Sequence, residues 1–309
     1  MLPGGFVMLL AFHHRKDAVL ALAFVAAVSA VLAAVAARHG DGIFRISSTT
    51  GVTTATETVR VAPAAFQYRV AGSFLRDGQP ANAPLVRIKP ASLTIMRAQV
   101  SEAAYEACVR AGACRATARR TPPRGDLPVT GVSFNDAGDY ARWFSAETGE
   151  TWRLPTDQEW AFAAGSKATD DAIDVDSSDF AERWLKKYEQ ESTRAREPAR
   201  AARPIGSFGV NEYGLLDLAG NVWEWTQTCY SRHSLDAAGR ASGEPVMNCG
   251  VRVLQGAHRS YASSFIRDAR AGGCSVGVPP DNLGFRLVRD DASWLERGIA
   301  RMRKGLGLA

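Results

Sequence analysis

Two patterns in the 309-residue chain predict a mixed fold of strands and helices. Apolar and polar residues alternate in VRVAPAAFQYRV, which starts at Val59, and in PLVRIKPASLTIM, which starts at Pro84. This alternation is typical of half-buried strands, and three segments with helical patterns follow. With 46% hydrophobic residues, the chain is long enough for one large domain or two small ones.

The first two predicted helices begin at residues that can cap them. Ser101 precedes a helix whose apolar face includes Tyr105 and Cys108. Either Ser133 or Asn135 caps the second helix, which ends at Gly149. Its apolar side chains recur at helical spacing, as Ala137, Tyr140, Ala141 and Phe144.

The third predicted helix begins with a capping box. Thr156 and Glu159 each satisfy a free backbone N–H of the other's turn, ahead of an apolar run that ends at Gly165. Residues 166–203 then form a charged segment, KKYEQESTRAREPARAAR in its second half, which predicts a helical insertion on a solvated surface.

The N-terminal region predicts a membrane anchor or a signal segment. After a basic N-terminus, residues 1–17, residues 18–37 form a run of roughly twenty apolar residues, the length that spans a bilayer. The basic cluster predicts a cytoplasmic N-terminus, so the chain beyond is exported. The small residues at positions 34–37 are also compatible with a cleavage site, in which case the segment is a signal peptide. We therefore expect a periplasmic domain, anchored or secreted, after a polar linker at residues 38–56.

Five cysteines fit an oxidising compartment. Cys108 and Cys114 are close in EACVRAGAC, which predicts one disulfide. Cys229 with Cys249 is the preferred second pair, and Cys249 with Cys274 is the alternative. A zinc site is disfavoured because the sequence has no Cys-x-x-Cys and no His pair at ligand spacing.

The net charge of +5 does not indicate a nucleic-acid partner. The basic residues are spread over positions 194–203 and over a basic C-terminal tail at 293–309. No helix-turn-helix, RNA-binding or zinc-finger pattern accompanies them. We interpret the excess as a solvated basic surface.

Three segments of the sequence occur in the order that is characteristic of a known protein family. They are RLPTDQEWAFAAG from Arg153, GLLDLAGNVWEW from Gly214 and NLGFRLV from Asn282. Over residues 57–292 the chain resembles the formylglycine-generating enzyme, or sulfatase-modifying factor, family. The resemblance implies one loop-rich α+β domain, related to C-type lectin-like folds.

The resemblance also implies a structural calcium site. In the family, the turn within GLLDLAGNVWEW holds calcium through positions that match Asp217, Gly220, Val222 and Glu224. Calcium prefers several hard oxygens from a tight loop, and Gly220-Asn221 permits a sharp turn. The alternative is that Asp217 and Glu224 only cap turns. Trp223 and Trp225 are expected to fill the core.

The segment GAHRSYASSFIRDAR, residues 256–270, matches the reactive positions of the family. Formylglycine generators carry two cysteines there, and this chain has Ala257 and Ala262 instead. Because a thiolate pair binds copper(I) and activates oxygen in that chemistry, we expect neither copper nor formylglycine formation. Four polar residues of the segment are candidates for binding a peptide or a small acid through charge-assisted hydrogen bonds. The alternative is that they only hold the core loops in place. They are His258, Ser260, Arg267 and Arg270.

Three classes of function are consistent with these residues. One is an exported maturation or accessory protein that binds a partner polypeptide. The NirV-like members encoded beside copper nitrite reductases are similar, with paired cysteines near CVRAGAC and an Arg-Asp-Ala-Arg segment. The second is an oxidoreductase that uses non-cysteine chemistry, with His258 as base. The third is a lectin-like binding module, for which no sugar-specific signature occurs.

Overall fold

The computed structural model describes residues 56–118, 121–169, 172–173, 179–196, 201–268 and 282–291. The predicted membrane segment 18–37, all of the linker except its last residue, Arg270, Cys274 and the tail 293–309 lie outside these ranges. Within them, no helix has the length and apolar character needed to cross a membrane. The predicted anchor therefore stays a prediction.

The alternating segments form strands, as predicted. They contain β1 (Thr58–Val61), β2 (Phe66–Arg69), β5 (Leu85–Ile88) and β6 (Leu93–Met96). Between them lies a hairpin that the alternation did not predict, made of β3 (Ser73–Arg76) and β4 (Gln79–Ala81). Its turn residues Asp77 and Gly78 both have positive φ, 51° and 77°, which is the conformation that tight hairpin turns require.

The three predicted helices are confirmed, with their caps. Helix α1 (Glu102–Arg110) is capped by Ser101, and α2 (Phe134–Thr148) is capped by Ser133 rather than Asn135. The Asp136 carboxylate accepts a hydrogen bond from the backbone N–H of Ser133, which completes a capping box. Gly149 ends α2 in a left-handed conformation. Helix α3 (Asp157–Ala164) has the predicted Thr156–Glu159 capping box. The charged insertion contains α4 (Phe180–Arg196).

A long hairpin occupies a region for which the sequence predicted mostly loops. Strands β8 (Trp223–Leu235) and β9 (Ala241–Gln255) pair antiparallel, with register shifts near Cys229. The low regular content implied by the resemblance is therefore wrong for this part of the chain. Irregular register and a largely exposed β9 hide the period-two pattern that identifies a strand.

The described strands form three sheets. β7 (Trp152–Arg153) and β12 (Val288–Arg289) complete a four-stranded sheet in the order β1-β6-β12-β7. β10 (Ser260–Ser263) begins the path β10-β9-β8-β3-β4, and β11 (Leu283–Gly284) pairs with β8. β2 and β5 pair separately.

Two disulfides close loops within this α+β domain. Cys108 bonds to Cys114 just after α1, and Cys229 bonds to Cys249 across the β8–β9 hairpin. Both preferred pairings are therefore confirmed. Each bridge restricts the unfolded chain, which stabilises the folded domain.

Candidate functional site

The three segments that carry the family resemblance meet at one buried carboxylate. Glu224, 1% exposed, comes from GLLDLAGNVWEW, Trp160 from RLPTDQEWAFAAG and Arg286 from NLGFRLV. Arg286 is 0% exposed and binds Glu224 through Nε and Nη2, each at 2.7 Å. We call Glu224, Arg286, Trp160 and Gln99 the motif cluster.

Every lone pair of Glu224 is occupied in the motif cluster. Oε1 accepts from Gln99 at 2.8 Å and Oε2 from Trp160 Nε1 at 2.8 Å, in addition to the two bonds from Arg286. The remaining donors of Arg286 reach backbone carbonyls, including that of Leu216 at 2.9 Å. A buried ion pair with all its hydrogen bonds made holds its neighbours in fixed positions.

The turn before Glu224 has an unusual backbone. Asp217, Ala219 and Asn221 all have positive φ, 57°, 59° and 62°, a conformation that costs free energy for residues other than glycine. Gly220 does not have positive φ. It is needed because a Cβ there would lie 2.7 Å from the ring of Phe208. The sharp turn thus depends on the left-handed conformations of Asp217, Ala219 and Asn221, and Gly220 allows close packing.

The predicted calcium ligands fit the ion in part. The Asp217 carboxylate accepts from the backbone N–H groups of Gly206 and Phe208, at 2.6 and 2.8 Å, and keeps further lone pairs. Glu224 has none left, so it does not fit as a ligand without breaking its bonds to Arg286. Gln99 Oε1 is a buried oxygen without a hydrogen-bond partner in the described structure, and so offers another hard donor.

No described group of three or more His, Cys, Asp or Glu side chains is arranged to hold a metal ion. The predicted calcium ligands include two backbone carbonyls, which are not part of such a group of side chains. Calcium therefore stays a prediction from the resemblance.

A second buried cluster anchors the segment with the reactive positions. Asp157, 0% exposed, accepts from Tyr68 at 2.6 Å, Gln255 at 2.5 Å and Arg259 at 2.9 Å. Burial, followed by the nearby Asp157 carboxylate, raises the pKa of the Tyr68 hydroxyl well above its usual range. Tyr68 is thus a neutral donor at all physiological pH values, and Asp157 holds Arg259 in place.

The two alanines that replace the cysteines lie in different environments. Ala257 is exposed in the loop before β10, whereas Ala262 is 0% exposed within the hydrophobic core. Between them His258 is buried, with its ring 5.3 Å from that of Trp223, whose Nε1 donates to the His258 carbonyl. Ser260 Oγ is buried without a hydrogen-bond partner among the described residues.

Trp225 fills the core as predicted, at 0% exposed. Trp223 is only partly buried and packs on Gly256, where a Cβ would lie 2.8 Å from the indole. Trp223 therefore contributes to the surface around His258 rather than to the core alone.

Arg267, another predicted binding residue, is committed to a structural ion pair. It binds Asp136 through Nε and Nη2, and its Nη1 donates to the carbonyl of Ala116. Burial works to raise the pKa of Asp136, but bonds from Arg267 and Ser133 outweigh it and hold that pKa below its usual value. Arg267 thus connects the segment after β10 to the start of α2, and Arg270 lies outside the described residues.

A family model described as "Sulfatase-modifying factor enzyme 1-like domain" matches residues 44–291. The chain belongs to this family. The family segments identified in the sequence are the ones that meet in the motif cluster, so the resemblance and the buried geometry agree.

Curated relatives include both active and inactive members of the family. The chain is 32% identical over 185 residues to a formylglycine-generating enzyme of Mycobacterium tuberculosis, which covers 55% of this chain and 60% of that protein. It is 32% identical over 172 residues to an "Inactive C-alpha-formylglycine-generating enzyme 2" of Mus musculus, covering 53% and 49%. The chain thus spans about half to three fifths of these relatives.

Among solved structures, that of PvdO from Pseudomonas aeruginosa is similar, with a TM-score of 0.48 and 20% identity. The match covers 75% of this chain and 94% of that one.

Sequence reasoning missed several residues that organise this family domain. They are Asp157, which follows the predicted cap Thr156, together with Gln99 and Arg286. The acidic residue directly after the Thr156 cap was a usable signal for Asp157. No local signal in the sequence identifies Arg286, because its role depends on Glu224, which is 62 residues away.

Proposed function

We propose that this protein is an accessory member of the sulfatase-modifying factor family that does not generate formylglycine. The observation that carries the proposal is the pair of alanines at the reactive positions, Ala257 and Ala262. Neither can form a thiolate, which is the soft ligand and nucleophile in the family's chemistry.

No other described thiol offers a substitute. Cys108, Cys114, Cys229 and Cys249 are joined in disulfides, and they account for the cysteines of the described residues. Ala262 is also part of the packed core, so that position is used for packing in this chain. Support also comes from a relative of similar identity that is named as inactive.

The positive role that we propose is binding a partner polypeptide during maturation of an exported enzyme. The N-terminal apolar run would place the domain in the periplasm, where partners arrive after translocation. A copper nitrite reductase is the partner that the NirV-like resemblance favours.

A reporter fused after residue 56 should be active only if the reporter works in the periplasm.

The lack of formylglycine formation is tested with the purified protein, copper(I), oxygen and a Cys-x-Pro-x-Arg peptide. Mass spectrometry of the peptide should show unchanged cysteine, while the Mycobacterium tuberculosis enzyme converts it in a parallel reaction. Efficient conversion by this protein would overturn the proposal. An Ala257→Cys/Ala262→Cys variant tests whether the thiols alone are missing.

The accessory role is tested by producing an exported copper nitrite reductase in matched strains that carry or lack the gene for this protein. We expect unchanged amounts of the enzyme polypeptide but reduced metal content or activity. Wild-type activity and metal content in the deletion strain would contradict this role.

A further inference from the structure

A cleft of about 500 Å³ lies beside the insertion helix. Its walls are the β3–β4 hairpin, the inward face of α4 and the segment from His258 to Tyr261. We call it the α4 cleft. Its volume is in the range that holds small ligands or a few residues of a peptide.

The α4 cleft is rich in positive charge. Its described lining contains five cationic side chains and the single carboxylate of Glu191; the cations are Arg69, Arg183, Lys187, Arg232 and Arg259. Glu191 lies 3.9 Å from Lys187, and Arg259 is paired with Asp157. A concave surface lined by one sign of charge attracts ligands of the opposite sign.

Arg183 makes the excess charge unusual. It is only 8% exposed, Nη2 donates to Asn82 Oδ1 at 2.9 Å, and Nη1 has no hydrogen-bond partner in the described structure. Among the described carboxylates none forms an ion pair with it. Burial lowers the pKa of this guanidinium. An arginine that is buried without a counter-charge destabilises the protein that carries it.

Arg232 adds an accessible charge to the same cleft. It is exposed, lines the cleft from β8 and forms no ion pair with a described residue. Arginine binds carboxylate and phosphate oxygens with two parallel hydrogen bonds. Arg232 can therefore contact a ligand directly, while the charge of Arg183 stabilises the ligand from the wall of the cleft.

We propose that the α4 cleft binds a ligand with two or more negatively charged oxygens, through Arg183 and Arg232. Such a ligand supplies the counter-charge that the described residues do not provide to Arg183. The inference goes beyond the proposed function, because the ligand is assigned to Arg183 and Arg232, although the cleft also borders the segment between the reactive positions.

The chain itself offers a competing source of negative charge. The segment before α4 carries Asp170, Asp171, Asp174 and Asp176. A variant with all four changed to Asn separates an external ligand from this segment. If anions bound only to that variant, the segment would be the occupant and the proposal of an external ligand would be overturned.

The test measures thermal unfolding of the full-length protein at low salt with citrate, inorganic phosphate, or a blocked Glu-Asp-Glu-Asp peptide with a Gln-Asn-Gln-Asn control. We expect at least one anion to raise Tm by about 3 °C and to lose this effect in high salt. If only citrate or phosphate raises Tm, the ligand is a free small anion. If only the acidic peptide raises Tm, the ligand is an acidic polypeptide. No shift with any anion would overturn the proposal.

Two variants assign the effect to the cleft. Arg183→Met should leave Tm of the free protein unchanged or higher, because an unpaired charge is removed, and should weaken anion binding about tenfold or more. Arg232→Gln should weaken binding similarly. The control is Arg87→Gln, an exposed arginine on β5 outside the cleft lining. Anion binding that survives in both cleft variants would overturn the proposal.

Discussion

The motif cluster and the α4 cleft each contain a buried arginine, but only one of the two is paired with a carboxylate of the described residues. Arg286 is 0% exposed and shares two hydrogen bonds with Glu224. Arg183 is 8% exposed and its side chain is held by the amide of Asn82. The same side chain thus lies in two opposite electrostatic environments.

The contrast separates scaffold from candidate binding site. In the motif cluster the charges are matched within the chain, and the pair fixes three distant segments against each other. In the α4 cleft no described carboxylate pairs with Arg183, an arrangement that lowers the stability of the free protein and attracts anions. In this protein the buried arginine without a described counter-charge is therefore the better candidate for binding a ligand.

The largest effect is expected from breaking the motif cluster. Arg286→Met leaves the Glu224 carboxylate buried without its counter-charge, so the free energy of unfolding should fall by about 3–5 kcal/mol. The free energy of unfolding is measured by urea denaturation. Replacing both partners, as Glu224→Leu with Arg286→Met, should recover part of the loss because no buried charge then remains. A loss below about 1 kcal/mol for the single variant would contradict the role assigned to the pair.

An intermediate effect is expected at the partly buried pair of Asp136 and Arg267. Because bonds from Arg267 and Ser133 hold the pKa of Asp136 below its unfolded value, the stabilisation is complete above that unfolded value, near 4. It is lost as pH falls through the lower folded pKa. Asp136→Asn should cost about 2 kcal/mol at pH 7.

The control for this pair is Asp139→Asn, a neighbouring carboxylate that lies toward solvent on α2. Stability measured from pH 7 to pH 2 should fall less steeply below pH 4 in the Asp136→Asn variant than in the wild type or the control. Equal slopes in all three proteins would show that Asp136 is not responsible.

The smallest effect is expected for calcium. If Asp217, Gln99 and backbone carbonyls bind the ion, saturating calcium should raise Tm by about 3 °C relative to chelated protein. Calorimetry with calcium, magnesium and chelator measures it, and Asp217→Ala should abolish the difference. An identical Tm with calcium and chelator would remove calcium from the description of this turn.

Local features of the fold could be predicted from the sequence. The caps at Ser101 and Thr156, the left-handed end at Gly149 and the loop closed by Cys108 and Cys114 all depend on residues a few positions apart. Hydrogen bonds at that distance follow from residue type and order. The strands β8 and β9 were missed because bulges and exposure obscure their alternation.

The sequence by itself determined that the reactive positions are alanines, where α1 and α3 begin, and which family segments occur. Only the tertiary structure decided which charges are matched. Arg286 and Glu224 are 62 positions apart, and Arg183 and Asn82 are 101 apart. Whether a charged side chain lies beside a carboxylate, an amide or a cleft depends on packing between distant segments, and no local pattern of residues specifies it.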